Sequence, residues 1–310
     1  MPTKFLEGFT GKLAEQWVAT LLTPAFAFWV GGFFAWLHRF GWNELQASFT
    51  SLVEPLQIAV LIGILLIITT SAFAIQRFDL AVLRFFEGYW YPWLNPIRRR
   101  LIKRQRQRFD RLDRQWQNLK QSEDHLTPEQ RDDLTTIDYQ LRQFPDRSDR
   151  LMPTRLGNIL RSAESKPSDK YGLDAVICWS RLWLVLPEGV RRELQDARAD
   201  LNTAARTWLW GILFLIWSVW ALWAIPVGLI VAWFAYGWML DAATTYGDLL
   251  ESAFDLYRID LYRSLHLPLP QSPAQERQLG QFVTEYLWRG SDRAKPEFVY
   301  GDENGKTNDK

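Results

Sequence analysis

Long uncharged runs alternate with long charged ones along this chain. Trp17 to Leu37 is 21 residues without an ionisable side chain, and Leu56 to Ile75 is 20. At 1.5 Å per residue, each is long enough as a helix to cross a hydrocarbon core of about 30 Å. The third run, Trp208 to Leu240, has 33 residues; as one helix of about 50 Å it overshoots a bilayer. A hairpin suits it better, turning at Ala224–Gly228 around Pro226, with Trp208, Trp210, Trp220, Trp223 and Trp238 at the two interfaces. Legs of about 16 residues are short, so a re-entrant pair or one tilted span are the alternatives. Pro24 predicts a kink in the first run. Gly31-Gly32 marks either a close helix approach or a lipid-facing weak point.

The polar stretches also read as helices, so the predicted class is all-α, an integral membrane protein with four transmembrane helices as two hairpins flanking a cytosolic helical domain. The predicted division is 1–75, an N-terminal interfacial segment and first hairpin; 76–206, the cytosolic domain; 207–241, the second hairpin; 242–300, C-terminal helices; and 301–310, a polar tail. Within the domain, Pro96 precedes a helix from Ile97 to Lys120, and Ser122-Glu123-Asp124 breaks it. Thr127-Pro128-Glu129-Gln130 opens a second helix with an N-cap and an N1 proline, completing an antiparallel hairpin. Pro145 and Pro153 bound a linker, a short helix spans Thr154 to Ala163, and Lys166 to Asp169 reads as a break. A helix from Pro187-Glu188 meets no breaker before Trp208. Ala242 to Leu267 is helical up to Pro268, and Pro273 to Trp288 forms one more helix.

A weak internal repeat also emerges. Phe78-Asp79-Leu80 precedes Pro92 by the same spacing as Phe254-Asp255-Leu256 precedes Pro268, and Arg84/Glu87 matches Asp260/Arg263 with signs exchanged. It predicts either a pseudo-two-fold pair of hairpin-plus-helix units or chance in a Phe- and Leu-rich chain.

Composition supports the bilayer. The mean hydropathy of −0.18 averages over blocks of opposite character, and 17 Trp with 19 Phe exceed what a soluble core uses, whereas interfacial belts use such rings. Net charge is only +1, yet Ile97 to Lys120 carries ten Lys/Arg against two Asp, net +8. By the positive-inside rule this segment is cytosolic, and with four spans so are both termini. No small-residue cleavage site follows a basic leader, so the first run reads as an uncleaved anchor. Cys178 is the only cysteine, which excludes an intramolecular disulfide and a cysteine-based zinc site.

Chemistry-bearing signals are sparse. His38, His125 and His266 lack metal-ligand spacing, and Cys178 sits in an apolar run, so no catalytic residue, cofactor site or metal site is predicted, and no enzyme. Gly301 to Thr307 imitates a phosphate loop but is one residue short and lacks the strand before it. The spans hold no ionisable group at depth, which weighs against a coupled transporter. Thr69, Thr70 and Ser71 could line a pore or bond back to their own helix. Arg98, Arg99, Arg100, Lys103 and Arg104 are candidate lipid-headgroup contacts, or else a topology signal on a solvated helix. Asp241, Asp248, Glu251 and Asp255 recur at 7, 3 and 4 residues on one helical face. That acidic face either concentrates cations at a pore mouth or pairs with the basic helix, the favoured reading. Only Phe109 and Trp116 interleave with the cations, so nucleic acid is not a predicted partner.

The stretches Pro153-Thr154-Arg155-Leu156-Gly157-Asn158-Ile159-Leu160, Tyr171-Gly172-Leu173-Asp174-Ala175-Val176 and Ala253-Phe254-Asp255-Leu256-Tyr257-Arg258 resemble segments of a family of bacterial multi-pass inner-membrane proteins with no assigned function. The resemblance implies a bacterial inner membrane and supplies no activity, ligand or site residue. The order of hairpin, helices and hairpin is similar in outline to bestrophin-type channels, none of whose motifs occur here. The predicted task is a non-enzymatic membrane-anchored scaffold or sensor acting through its cytosolic helices; the alternative is an oligomeric ion channel with an acidic cytosolic mouth. Predicted partners are the lipid bilayer, including anionic lipids, and a second copy or a cytosolic protein.

Overall fold

The computed structural model describes residues 23–43, 46, 51, 53–122, 126–291 and 296–300, which are helical with no strand among them. The predicted interfacial segment, the start of the first run, His125 and the polar tail lie outside the described residues. The helices are α1 Thr23–Phe40, α2 Glu54–Gln76, α3 Asp79–Glu87, α4 Asn95–Gln121, α5 Pro128–Arg142, α6 Arg155–Tyr171, α7 Ala175–Val185, α8 Glu188–Phe214, α9 Ala224–Ser264 and α10 Pro273–Arg289. They fall into two compact units: an apolar one, up to Tyr89 with Ala199–Ala242, and a polar one, Trp90–Arg198 with the residues from Ala243 on. Two helices are long and apolar enough to cross a membrane, the run opening at Glu54 and Ala224–Ser264.

In the apolar unit, α2 starts on Pro55 in its first turn and runs 23 residues, about 35 Å. Only 11% of its most apolar window is buried. α1 and α2 pack through Ala25, Phe28, Ile68 and Ala72, joined by Trp210 of α8. The Gly31-Gly32 patch accepts rings rather than a backbone: a Cβ on Gly31 would lie 2.3 Å from the Phe214 ring, and one on Gly32 2.4 Å from the Trp217 ring. α3 ends on Gly88, whose φ of 96° suits a residue without a Cβ.

The third run does fold back on itself, but the reversal comes at Trp220–Trp223, earlier than Pro226 suggests. Pro226 stands in the first turn of α9, where the missing N–H has no intrahelical acceptor to lose. The two legs approach at Gly211 and Gly228, where a Cβ on Gly211 would lie 2.9 Å from the Ala232 nitrogen.

The polar unit begins with the predicted hairpin of α4 and α5. Thr127 and Gln130 form the reciprocal capping box, and Leu112, Phe144 and Leu151 make its core. α6 corrects the predicted break at Lys166 to Asp169: it runs through Pro167 to Tyr171. An interior proline costs about 3 kcal/mol. Burial of Leu156, Ile159, Leu160 and Ala163 on the same helix, at roughly 1.5–3 kcal/mol for each large side chain, outweighs it. The Pro167 carbonyl accepts from Leu173 N in the C-cap. α8 passes from its polar start to Trp208 and on to Phe214 without interruption, as the sequence predicts. The main core gathers Cys178, Leu182, Leu194, Phe254, Tyr262 and Val283 from α7, α8, α9 and α10, with Leu173 from the link before α7.

The internal repeat does not survive residue by residue. Phe78 is 52% exposed just ahead of α3, whereas Phe254 is fully buried inside α9. The matching sequences serve different roles.

The glycine contacts give a first prediction. Gly211→Ala should lower stability by about 1–3 kcal/mol because backbone atoms block the new methyl. Gly63→Ala, where nothing lies within 4 Å, should be neutral or gain about 0.4–1 kcal/mol. Thermal unfolding of the two variants in detergent checks the opposite signs.

Candidate functional site

Charged side chains gather in three places, each built by a different local device. The first lies in the polar unit, where unbroken α6 sets Lys166 and Lys170 one turn apart and α9 does the same for Glu251 and Asp255. Lys166 Nζ lies 2.6 Å from Glu251 Oε2, and Lys170 Nζ lies 2.6 Å from Oε1 and 3.2 Å from Asp255 Oδ2. Tyr171 donates its hydroxyl to Asp255 Oδ1 at 2.7 Å. The Arg258 guanidinium covers the Tyr171 ring at 4.1 Å and binds Glu276 of α10 at 2.6 Å. Three helices are thus tied by one network.

Burial works against ionisation of Glu251, but the hydrogen bonds from Lys166 and Lys170 outweigh it and hold the carboxyl below its ordinary value of 4.5. Beside the network opens a cleft of about 330 Å³ lined by Tyr139, Arg142, Ser162, Lys166, Asp248 and Glu251, among others. Burial pushes the Asp248 carboxyl up, against the pull of Lys166.

The residues of the predicted acidic face are answered differently from the expectation. Glu251 and Asp255 pair with α6 and not with the basic helix α4. Asp248 borders the cleft; Asp241 is exposed and belongs to the apolar unit. Lys166, Lys170 and Tyr171 escape the sequence reading because the false break at Pro167 hides their shared helix.

The second place is in the apolar unit. Asp79 opens α3 and Arg206 lies in α8, 7% and 5% exposed. They meet in a bidentate pair, Nη2 to Oδ2 at 2.5 Å and Nε to Oδ1 at 3.2 Å. A separation of 127 residues leaves no local sequence signal for this pair.

The third is the N-terminal half of α4. Arg99, Arg100, Lys103 and Arg104 are exposed and Arg98 is half-buried. Among the described residues, none of the five has an ion-pair partner.

The remaining candidates resolve structurally. Thr69 bonds back to the Leu65 carbonyl; Ser71 bonds to that of Ile68 and accepts from Trp29 Nε1 at 3.0 Å. Cys178 is fully buried, and burial pushes its thiol up to about 11, where thiolate chemistry is suppressed. No cluster of three or more His, Cys, Asp or Glu able to hold a metal occurs among the described residues.

Two predictions rest on these pairs. Arg206→Met strands a buried carboxylate and should cost about 3–5 kcal/mol, and adding Asp79→Asn should recover part of the loss; chemical unfolding of both variants in detergent measures it. A depressed carboxyl contributes stability that is full above its unfolded pKa and lost as pH falls through its folded one. The wild type should therefore lose stability below about pH 4.5, and Glu251→Gln should flatten that acid limb in thermal melts taken across pH. In comparisons with known proteins, no family model, curated protein or solved structure matches this chain, and its functional reading rests on these side chains.

Proposed function

We propose that this chain is a membrane-anchored helical scaffold or sensor of the bacterial inner membrane, working through its polar helices and not as an enzyme. The observation that carries the reading is the closure of Glu251 and Asp255 by Lys166, Lys170 and Tyr171. Carboxylates already answered within the chain are poor material for a ring that concentrates cations, and this counts against the channel. The α6–α9–α10 network instead stiffens a helical platform suited to presenting a surface.

Anchoring is supported by α2, where Leu61, Ile62, Ile64, Leu65, Leu66 and Ile67 are all exposed. A helix apolar all round and uncovered by its own protein is stable in lipid and a liability in water. The proposed topology has four spans: the apolar run that holds α1, α2, the leg from Trp208, and the apolar part of α9. Both termini and the α4–α7 region face the cytosol, because the cation excess lies there. The resemblance to bacterial inner-membrane proteins agrees with this placement. The partner is a second copy or a cytosolic protein received on the polar helices.

Purified full-length protein should be silent in planar bilayers and should retain a discrete partner, or itself, after cross-linking in membranes. Reproducible single-channel currents whose cation selectivity falls in Asp241→Asn/Asp248→Asn would overturn the scaffold in favour of the channel. A C-terminal reporter active only outside the cytosol would overturn the four-span topology.

A further inference from the structure

In the polar unit, the residues leading into α4 expose apolar and cationic side chains in sequence. Tyr91 and Trp93 are each 75% exposed and Ile97 is 53% exposed, although a ring as large as Trp ordinarily buries most of its surface. Trp93, Ile97, Arg100 and Arg104 follow one another at 4, 3 and 4 residues, the spacing of one helical face. Trp93 lies in the 3-10 turn Pro92–Leu94, which leads straight into α4. Arg99 and Lys103 flank that row, also exposed.

What sets this edge apart is that its unpaired cations are clustered beside exposed rings. Some exposed arginines of the same unit do find an acid close by: Arg142 with Asp138, Arg147 with Asp149, Arg192 with Glu188 and Arg263 with Asp260, all at 2.9 to 3.1 Å. In α4 the only acids, Asp110 and Asp113, come after Arg108. The positive field of this edge is left uncompensated.

We propose that this edge docks on an anionic lipid surface, with Tyr91, Trp93 and Ile97 in the headgroup layer and Arg99, Arg100, Lys103 and Arg104 on lipid phosphates. The proposal rests on the membrane-anchored reading and adds the occupant of its basic face. Rings set beside cations match a surface whose polar phosphates overlie apolar chains. Nucleic acid would also satisfy the cations, but it offers no apolar layer for Ile97. Charge complementarity makes the contact depend on lipid type and on salt.

Cys178 is buried, so a cysteine introduced on the surface takes a nitroxide label selectively. Full-length Ile97→Cys, labelled and placed in phosphatidylcholine nanodiscs with or without phosphatidylglycerol, reports its collisions with oxygen and with a water-soluble nickel chelate. With phosphatidylglycerol present, nickel accessibility should fall several-fold. The fall should vanish in Arg99→Gln/Arg100→Gln/Lys103→Gln/Arg104→Gln. It should also vanish for the unsubstituted cations at about 1 M salt, where the Debye length is about 3 Å, a control that needs no change of fold. Equal accessibility in the two lipids, or a fall that survives both treatments, overturns the proposal. Protection by a single-stranded oligonucleotide but not by phosphatidylglycerol overturns it in favour of nucleic acid. A label at Leu65→Cys separates the two levels: it should be reached by oxygen and not by nickel in either lipid, and a nickel-accessible Leu65 sinks the membrane reading itself.

Discussion

The buried pair of Asp79 and Arg206 is the constraint on which the apolar unit depends. Asp79 follows the end of α2 by three residues, and Arg206 stands two residues before the apolar run from Trp208. A carboxylate and a guanidinium taken out of water each carry a desolvation cost of several kcal/mol, offset only when geometry and hydrogen bonding are both good. The bidentate contact meets that condition. It fixes where α3 starts relative to α8, and the rings follow: Phe86 of α3 meets Trp208 of α8 edge-on at 4.8 Å and Tyr236 of α9 at 5.3 Å. An ion pair of this kind specifies a register more than it adds stability, since apolar residues of the same shape could be as stable.

The polar unit solves an electrostatic problem of the opposite sort. Its α9 segment brings a row of carboxylates, and α6 brings two lysines at matching spacing. The match depends on α6 staying helical through Pro167. A break there would turn Lys166 and Lys170 onto different faces and leave Glu251 with at most one partner. Packing of α6 against its neighbours holds this register, helped by the glycines beyond it: a Cβ on Gly280 would lie 1.9 Å from the Tyr171 carbonyl oxygen, and one on Gly172, at φ 76°, 2.3 Å from that of Arg277. Close backbone approach thus sets α6 against α10.

These two sites mark how far the sequence could be read. Helices with local start chemistry were legible: Thr127-Pro128 with Gln130 for α5, Pro187-Glu188 for α8, Pro273 for α10. The reach of α8 into the apolar run follows from the lack of any breaker in it. What failed rests on long-range packing, which local propensity does not carry. Pro167 reads as a stop and is overridden by burial. Pro226 reads as a turn centre and starts a helix instead. The acidic face is legible as a helical periodicity, but its partner is not, because α4 holds more cations and stands out more. Asp79 and Arg206 are each visible in the sequence, yet nothing local indicates that they meet.

Taken together, the pairs divide the chain's charges into those spent on structure and those left outward. Glu251, Asp255, Glu276, Lys166, Lys170 and Arg258 hold helices to one another, and Asp79 with Arg206 holds the apolar unit. Each of these is partly or wholly screened from solvent and fixed by its partner, so changing it alters the fold before it alters any contact with another molecule. Arg99, Arg100, Lys103 and Arg104 at the start of α4 are the reverse: exposed, without an ion pair among the described residues, and preceded by rings that the polar unit does not bury. A surface of that composition has a cost in water, because Trp93 and Tyr91 keep their apolar area wetted. Folding alone does not recover that cost. A lipid surface recovers it by taking up the rings, and it answers the cations in the same contact. That joint requirement is why the basic half of α4, and not the acidic row of α9, is the face on which a proposed scaffold of this build would act.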